Sequence, residues 1–154
     1  MMKPISSAFI LLIATSLPAA SHAEGALDWA TGSWGIDVEN IPEDLTPEQI
    51  DSYRNCDTSP VRITIDKENL RYKAIHTGEN DFTSTSPVLD VQERWITLQY
   101  DDETRTLENG DLHKWHMFFV SPDKFYWIVG EGVGENEREG VVPVARVRCQ
   151  FKGV

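Results

Sequence analysis

The sequence predicts an all-β protein, an up-and-down antiparallel barrel of eight or nine strands with one short helix near residues 46–54. Three observations support this fold class. Apolar and polar residues alternate with period two over residues 61–66, and clusters of turn residues separate the apolar runs that follow. Asn109-Gly110 is a strong hairpin signal, because a type I′ turn needs positive φ at both central residues. Closing such a meander into a barrel removes its exposed edges.

The strands follow from apolar runs in chain order. A first strand opens at Gly32-Ser33-Trp34, and further runs lie at 61–66, 70–74, 87–91, 95–100, 115–120, 125–129 and 141–151. The runs at 95–100 and 115–120 are rich in β-branched and aromatic residues, which is typical of buried strands. Because most of the turns are short, consecutive strands are predicted to be neighbours in the sheet.

The predicted helix begins with Thr46-Pro47-Glu48-Gln49. Thr46 is suited to the N-cap, proline is favoured at the first helical position, and Gln49 would complete a capping box. The helix is expected to end near Asn55, with Ile50 and Tyr53 facing the body of the protein. A helix of about two turns is marginal alone, so it must pack against the barrel.

The first 23 residues have the features of an export signal. Lys3 precedes an apolar stretch over residues 8–14 that is too short to span a bilayer of roughly 30 Å. Ser21-His22-Ala23 then provides the small residues of a cleavage site. We therefore expect a mature domain over residues 24–154 in the periplasm or extracellular space, without a membrane anchor.

Charge and cysteine content narrow the class of protein further. The formal net charge is −11, which argues against nucleic acid as a partner because such binding needs clustered Lys and Arg. The chain has two cysteines, Cys56 and Cys149, and an oxidising compartment makes a disulfide between them the expected state. Closing a loop of about 93 residues would contribute roughly 4–5 kcal/mol on the loop-entropy model.

Gly32-Ser33-Trp34 in the first strand resembles the Gly-x-Trp motif of the lipocalin and wider calycin barrels. In that family the tryptophan closes one end of the barrel and packs against an arginine of the last strand. The resemblance implies this structural role for Trp34, with Arg146 or Arg148 as its partner. A disulfide to the carboxy-terminal part is similar to the family as well. Small secreted inhibitors of bacterial proteases share the barrel and the motif, and their size is closer to this chain.

The sequence offers no catalytic or metal-binding constellation. His113 and His116 are three residues apart on a predicted strand, a spacing that points side chains to opposite faces. Gly130-x-Gly132-x-Gly134 lies in an acidic loop over residues 130–140, and no helix follows it that could hold a phosphate. We therefore predict no cofactor, no bound metal and no enzyme activity.

A surplus of aromatic residues is the strongest functional signal. The predicted function is binding of a small apolar ligand in the barrel mouth, with a wall formed by Trp95, Trp115, Met117, Phe119 and Trp127. A protein-binding or inhibitor-like module acting through the amino-terminal arm, residues 24–31, or through the loop 130–140 is the alternative. An enzyme using His113 or His116 is a third. A cavity of about 300 Å³ or more would favour the first of these, and a filled interior the second.

Overall fold

The computed structural model describes residues 25–78, 81–130, 142 and 144–150. The predicted fold class is confirmed, since eight antiparallel strands of this part of the chain follow one another around a closed barrel. Two short helices, α1 (Ala26–Trp29) and α2 (Pro47–Ser52), accompany β1 (Gly32–Ile36), β2 (Val61–Asp66), β3 (Arg71–His76), β4 (Phe82–Gln92), β5 (Trp95–Leu98), β6 (Lys114–Ser121), β7 (Lys124–Gly130) and β8 (Arg146–Arg148). This architecture is compatible with a lipocalin-like fold.

Strand register decides which side chains enter the core. In β5 and β6, Ile96 pairs with Met117 and Leu98 pairs with Trp115. Ile96, Leu98 and Met117 are completely buried, so these alternate positions face the interior. The residues between them, including His116, therefore belong to the outer face.

Strand β4 is longer than its apolar run predicts. It starts at Phe82 rather than near Pro87, because polar residues 83–86 pair with β3 without contributing an apolar signal. Pro87 lies inside the strand, next to a register shift between Val88 and Asp90. A proline is tolerated there because a bulge relaxes the ladder hydrogen bonds.

The hairpin signal at Asn109-Gly110 corresponds to a tight turn in the long connection from β5 to β6. Gly110 has a φ of 90°, and its N–H donates to the carbonyl oxygen of Leu107 at 2.9 Å. A single bridge between Thr106 and Leu112 flanks the turn. The signal corresponds to a turn, but the expected type I′ geometry is wrong: Asn109 does not have a positive φ, and the hydrogen-bonded turn runs from Leu107 to Gly110. The residues on each side form one bridge rather than two full strands.

Helix α2 forms as its start signals predict. The Gln49 N–H donates to the Thr46 hydroxyl at 3.2 Å, and the Thr46 N–H donates to the Gln49 side chain at 2.8 Å. Pro47 occupies the first turn. The reciprocal bonds satisfy two backbone groups that a helix start would otherwise leave without partners.

The predicted disulfide between Cys56 and Cys149 is present, with Cα atoms 5.2 Å apart. It fastens the segment after α2 across β1. The Ile36 N–H donates to the Arg54 carbonyl oxygen at 2.7 Å, and a Cβ atom on Gly35 would lie 2.5 Å from the Cys56 nitrogen. Glycine at position 35 is therefore required by this close approach.

Some predicted segments lie outside the described residues: the export signal over 1–23, the loop residues 131–140, and positions 141, 143 and 151 of the predicted last strand. Within the described part of the chain, none of the helices has the length and apolar content that crossing a membrane would require.

Candidate ligand-binding site

One end of the barrel, the closed end, is sealed around Trp34 and Arg148. The Arg148 guanidinium carbon lies 4.5 Å from the Trp34 ring centroid. All three guanidinium nitrogens donate hydrogen bonds, to the carbonyl oxygens of Trp29 (2.7 Å), Thr31 (2.9 Å) and Pro122 (2.9 Å) and to the Asp123 carboxylate (2.7 Å). The arginine thus ties three chain segments together over the indole ring.

The closed end also explains why glycine precedes Trp34 in the motif. Gly32 has a φ of 150°, and a Cβ atom there would collide with the Arg148 guanidinium. The Trp34 indole N–H donates to the Ala30 carbonyl oxygen at 2.9 Å. Residues 25–31 therefore do not form a free arm, because Ala26 and Ala30 are buried beneath the barrel.

The opposite half of the barrel contains a cavity of about 410 Å³, which we call the barrel cavity. Its walls are mainly aromatic and aliphatic, and they include two arginines and one histidine. The described lining residues are Trp34, Tyr53, Arg54, Val61, Ile63, Tyr72, His76, Phe82, Tyr100, Trp115, Phe125, Trp127, Val142 and Arg146. Phe82 lines the cavity and is half exposed, so the cavity reaches the surface beside it. We call this opening, bordered by Arg54, His76 and Phe82, the mouth.

Two of the five predicted wall residues, Trp115 and Trp127, line the barrel cavity. Met117 and Phe119 face the interior but are completely buried in the packed core towards the closed end. Trp95 is not on the wall, since it alternates with buried Ile96 and stacks on an outer-face histidine. The composition indicates an aromatic wall. Which aromatic residues form it depends on the face of the strand that each occupies and on its position along the barrel axis.

The wall beside Trp115 is fixed by a buried carboxylate. The Trp115 indole N–H donates to Glu103 at 3.0 Å, and Arg105 donates two hydrogen bonds to the same carboxylate, both at 2.7 Å. These contacts, chiefly those from Arg105, lower the pKa of Glu103 to about 2. The Trp127 ring then packs edge-on against Trp115 at 5.9 Å. The aromatic wall is therefore preorganised.

Arg146, the other candidate partner for Trp34, lies in the barrel cavity. Its guanidinium carbon is 5.0 Å from the Tyr53 ring centroid, and Nη1 donates to the Val144 carbonyl oxygen at 3.2 Å. Within the described residues it forms no ion pair, and burial lowers its pKa. No Asp or Glu is among the described lining residues, so this part of the wall is cationic.

The mouth combines an aromatic ring with groups that stay neutral or cationic. His76 stacks on Phe82 with ring centroids 3.9 Å apart. Burial, followed by the charges of Arg54 and Arg146, lowers the pKa of His76 to about 4, so its imidazole is neutral at pH 7. Arg54 donates to the Thr77 carbonyl oxygen at 2.7 Å and lies 5.9 Å from the Phe82 centroid.

Two tyrosines give the cavity neutral hydroxyl groups. Burial raises the pKa of Tyr100 to about 12 and that of Tyr72 well above its ordinary range. Their rings lie 6.0 Å apart in an edge-on arrangement. Both phenols are therefore protonated at neutral pH. Tyr72 donates to Tyr100, and the Tyr100 hydroxyl keeps its own proton for a ligand.

The histidines considered as catalytic or metal-binding residues lie elsewhere. His116 is buried on the outer face, where Nδ1 is 2.9 Å from the Thr97 hydroxyl and Nε2 is 3.3 Å from the Gly130 carbonyl oxygen. His113 precedes β6. Within residues 25–78, 81–130, 142 and 144–150, no three His, Cys, Asp or Glu side chains come together as metal ligands would.

Comparison with protein-family models, with curated proteins and with solved structures finds no match to this chain. The class of protein is therefore defined by its fold and its cavity: the described residues form a closed eight-stranded antiparallel barrel with a cavity at one end.

Most residues around the mouth of the cavity are not predicted as site residues from the sequence. Tyr53 and Arg54 follow α2 and reach the cavity in a segment that is held by the disulfide of Cys56 with Cys149 and by the Ile36 N–H bond to the Arg54 carbonyl oxygen. Tyr72 and His76 share one face of β3, which their even spacing could have indicated. The same spacing puts Arg146 and Arg148 on one face of β8, so both could have been placed inside the barrel from the sequence.

Proposed function

We propose that this protein is a non-catalytic, lipocalin-like binding protein that takes a small, largely apolar ligand into the barrel cavity. The observation that carries the proposal is a cavity of about 410 Å³ with predominantly aromatic walls. Ligand pockets in proteins typically measure about 300–1,000 Å³ and combine apolar walls with a few polar groups. The part-buried hydrogen bond between Trp115 and Glu103 supports the same function, because a wall that is fixed before binding loses little conformational entropy.

Binding rather than catalysis accounts best for the titratable groups around the cavity. A general acid or base works most effectively with a pKa near the operating pH. His76 has its pKa at about 4 and Tyr100 at about 12. These values favour fixed hydrogen-bonding roles for both side chains.

We further propose that the protein acts in the periplasm or outside the cell. The disulfide between Cys56 and Cys149 is consistent with an oxidising compartment. The leader-like sequence of residues 1–23 supports export. The competing function, partner binding through residues 24–31, has less support because Ala26 and Ala30 are buried at the closed end.

The test is a binding screen of the disulfide-bonded protein with small apolar molecules, by native mass spectrometry and by tryptophan fluorescence. Trp115 and Trp127 line the cavity, so occupancy should change their emission. The variant Val61→Phe fills cavity space, and Leu89→Phe, at an exposed position of β4, is the matched control. We expect binding to be lost in Val61→Phe and kept in Leu89→Phe. If no apolar molecule binds the wild-type protein, the proposed function is wrong.

A further inference from the structure

Arg146 is a part-buried cation in a largely apolar cavity. Its single described hydrogen bond goes to the carbonyl oxygen of Val144, and its described aromatic contact is with Tyr53. No described carboxylate lies within ion-pair distance of it. Removing a charge from water without a partner is costly, so a group that pairs with Arg146 would be stabilised strongly.

The charge of the cavity is opposite to that of the protein. The whole chain has a formal net charge of −11, yet the described cavity wall contains Arg54 and Arg146 and no acidic residue. The carboxylate of Glu103 lies behind Trp115 and is already paired with Arg105. An anion inside the cavity would therefore meet the Arg146 guanidinium and no opposing charge from the described wall.

The chemistry of arginine narrows the choice of anion. Its planar guanidinium presents donors in a fork that matches the two oxygens of a carboxylate. In Arg146 one face of the group lies over the Tyr53 ring, and only Nη1 donates to the protein among the described contacts. The remaining N–H groups are suited to a planar, bidentate acceptor.

Resting on the proposed function, we infer that the natural ligand class is a carboxylate with an apolar body. Its carboxylate pairs with Arg146, and its apolar part lies along the aromatic wall formed by Trp115 and Trp127. The rim ring of Phe82 borders the path by which such a molecule enters. The neutral hydroxyl of Tyr100 offers a further donor on the same wall.

The test compares decanoate with its neutral counterpart decanamide at pH 7.5, where the carboxyl group is ionised. Binding to the disulfide-bonded protein is measured by isothermal titration calorimetry and tryptophan fluorescence. We expect decanoate to bind at least about ten-fold more tightly than decanamide, the difference typical of a hydrogen-bonded charge pair. Equal affinities would overturn the inference while leaving the proposed function standing.

Two variants test whether the preference for decanoate depends on Arg146. Arg146→Met removes the charge and keeps an apolar side chain of similar length, whereas Arg62→Met removes an exposed arginine of β2. We expect Arg146→Met to lose the preference for decanoate while binding decanamide as the wild type does, and Arg62→Met to keep it. A preference that survives in folded Arg146→Met would overturn the assignment.

The outcomes separate the two proposals. If neither probe binds and the wider screen of apolar molecules also fails, the proposed function itself is wrong, and the ligand class falls with it. If apolar molecules bind but decanoate has no advantage over decanamide, only the carboxylate class is wrong. Because this ratio is measured on the wild-type protein, the test remains decisive even if Arg146→Met does not fold.

Discussion

The closed end and the mouth of this barrel use the same residue type in opposite ways. Arg148 and Arg146 are two residues apart on β8 and both face the interior. Arg148 donates from all three guanidinium nitrogens to protein acceptors and stacks on Trp34. Arg146 has one described hydrogen bond, to a carbonyl oxygen. An arginine whose three nitrogens all donate to the protein holds the fold, whereas one with a single described bond has donors left for a ligand.

The aromatic residues follow the same division. Towards the closed end, Phe119 and Phe125 pack with Trp34 at centroid distances of 6.0 and 4.9 Å, and Trp29 packs with Phe119 at 5.9 Å. Trp34 and Phe125 in this cluster also form the inner boundary of the barrel cavity. Towards the mouth, Trp115 and Trp127 make edge-on contacts and still border a cavity. Aromatic content alone therefore does not distinguish core from binding site in this barrel. Aromatic rings belong to the core where side chains from the opposite strands fill the space beside them, and to the binding site where that space stays open.

The largest expected effect on the free energy of unfolding comes from removing the disulfide near the mouth. Replacing Cys56 and Cys149 together by serine removes the crosslink that holds Arg54 beside the cavity. With 93 residues between the cysteines, we expect unfolding free energy to fall by about 4–5 kcal/mol. Urea denaturation of the double variant and the wild type would measure the loss. Unchanged stability would mean that the contacts of this segment with β1 hold it without the crosslink.

The second largest effect on the free energy of unfolding is expected from replacing Arg148 at the closed end. In Arg148→Met the carbonyl oxygens of Trp29, Thr31 and Pro122 lose their charged donor. We expect a loss of about 3 kcal/mol, since several charge-assisted hydrogen bonds and the contact with the buried Trp34 ring are lost together. The measurement is the urea midpoint. A loss below about 1 kcal/mol would show that the closed end is held by packing alone.

A smaller and pH-dependent effect is expected at the cavity wall. In Glu103→Gln we expect a loss of about 2 kcal/mol at pH 7, because the charge-assisted bonds from Arg105 are weakened. The pKa of Glu103 is lowered from 4.5 to about 2, so its contribution is complete above about pH 4.5 and disappears as the pH falls through about 2.

Unfolding curves of the wild type and of Glu103→Gln from pH 7 to pH 2 would test this dependence. The two stabilities should differ most at neutral pH and converge in acid. A difference that stays constant down to pH 2 would contradict the role given to the ionised carboxylate.

The smallest effect on stability is expected for Arg146→Met. Because the part-buried charge has no described carboxylate partner, replacing it by an apolar side chain should change the unfolding free energy by less than about 1 kcal/mol, in either direction. Compared with Arg148→Met in the same urea assay, this variant tests the difference between the two ends. A loss as large as that of Arg148→Met would make Arg146 a structural residue.

Much of the fold could be predicted from local sequence. The alternation over β2, the capping box of α2 and the two cysteines each depend on near neighbours or on simple counting. The start of β4 could not be predicted, because residues 83–86 are polar and become a strand only by pairing with β3. Pairing with a neighbouring strand made this segment a β-strand, although its composition does not favour one.

The site was less predictable than the fold. An aromatic wall was expected, but Trp95 lies on the outer face and Met117 is in the packed core, since strand register and depth are properties of the closed barrel. Tyr53 and Arg54 reach the cavity through long-range contacts: the crosslink of Cys56 to Cys149 just after β8, and the hydrogen bond from the Ile36 N–H to the Arg54 carbonyl oxygen. Such long-range placement has no local signature in the chain.

The most direct test of the division between the two ends is a crystal structure of the protein with decanoate. We expect the carboxylate within hydrogen-bonding distance of the Arg146 guanidinium, the alkyl chain against Trp115 and Trp127, and the closed end around Arg148 unchanged. Decanoate bound on the outer face, or in the cavity with its carboxylate turned away from Arg146, would contradict this expectation.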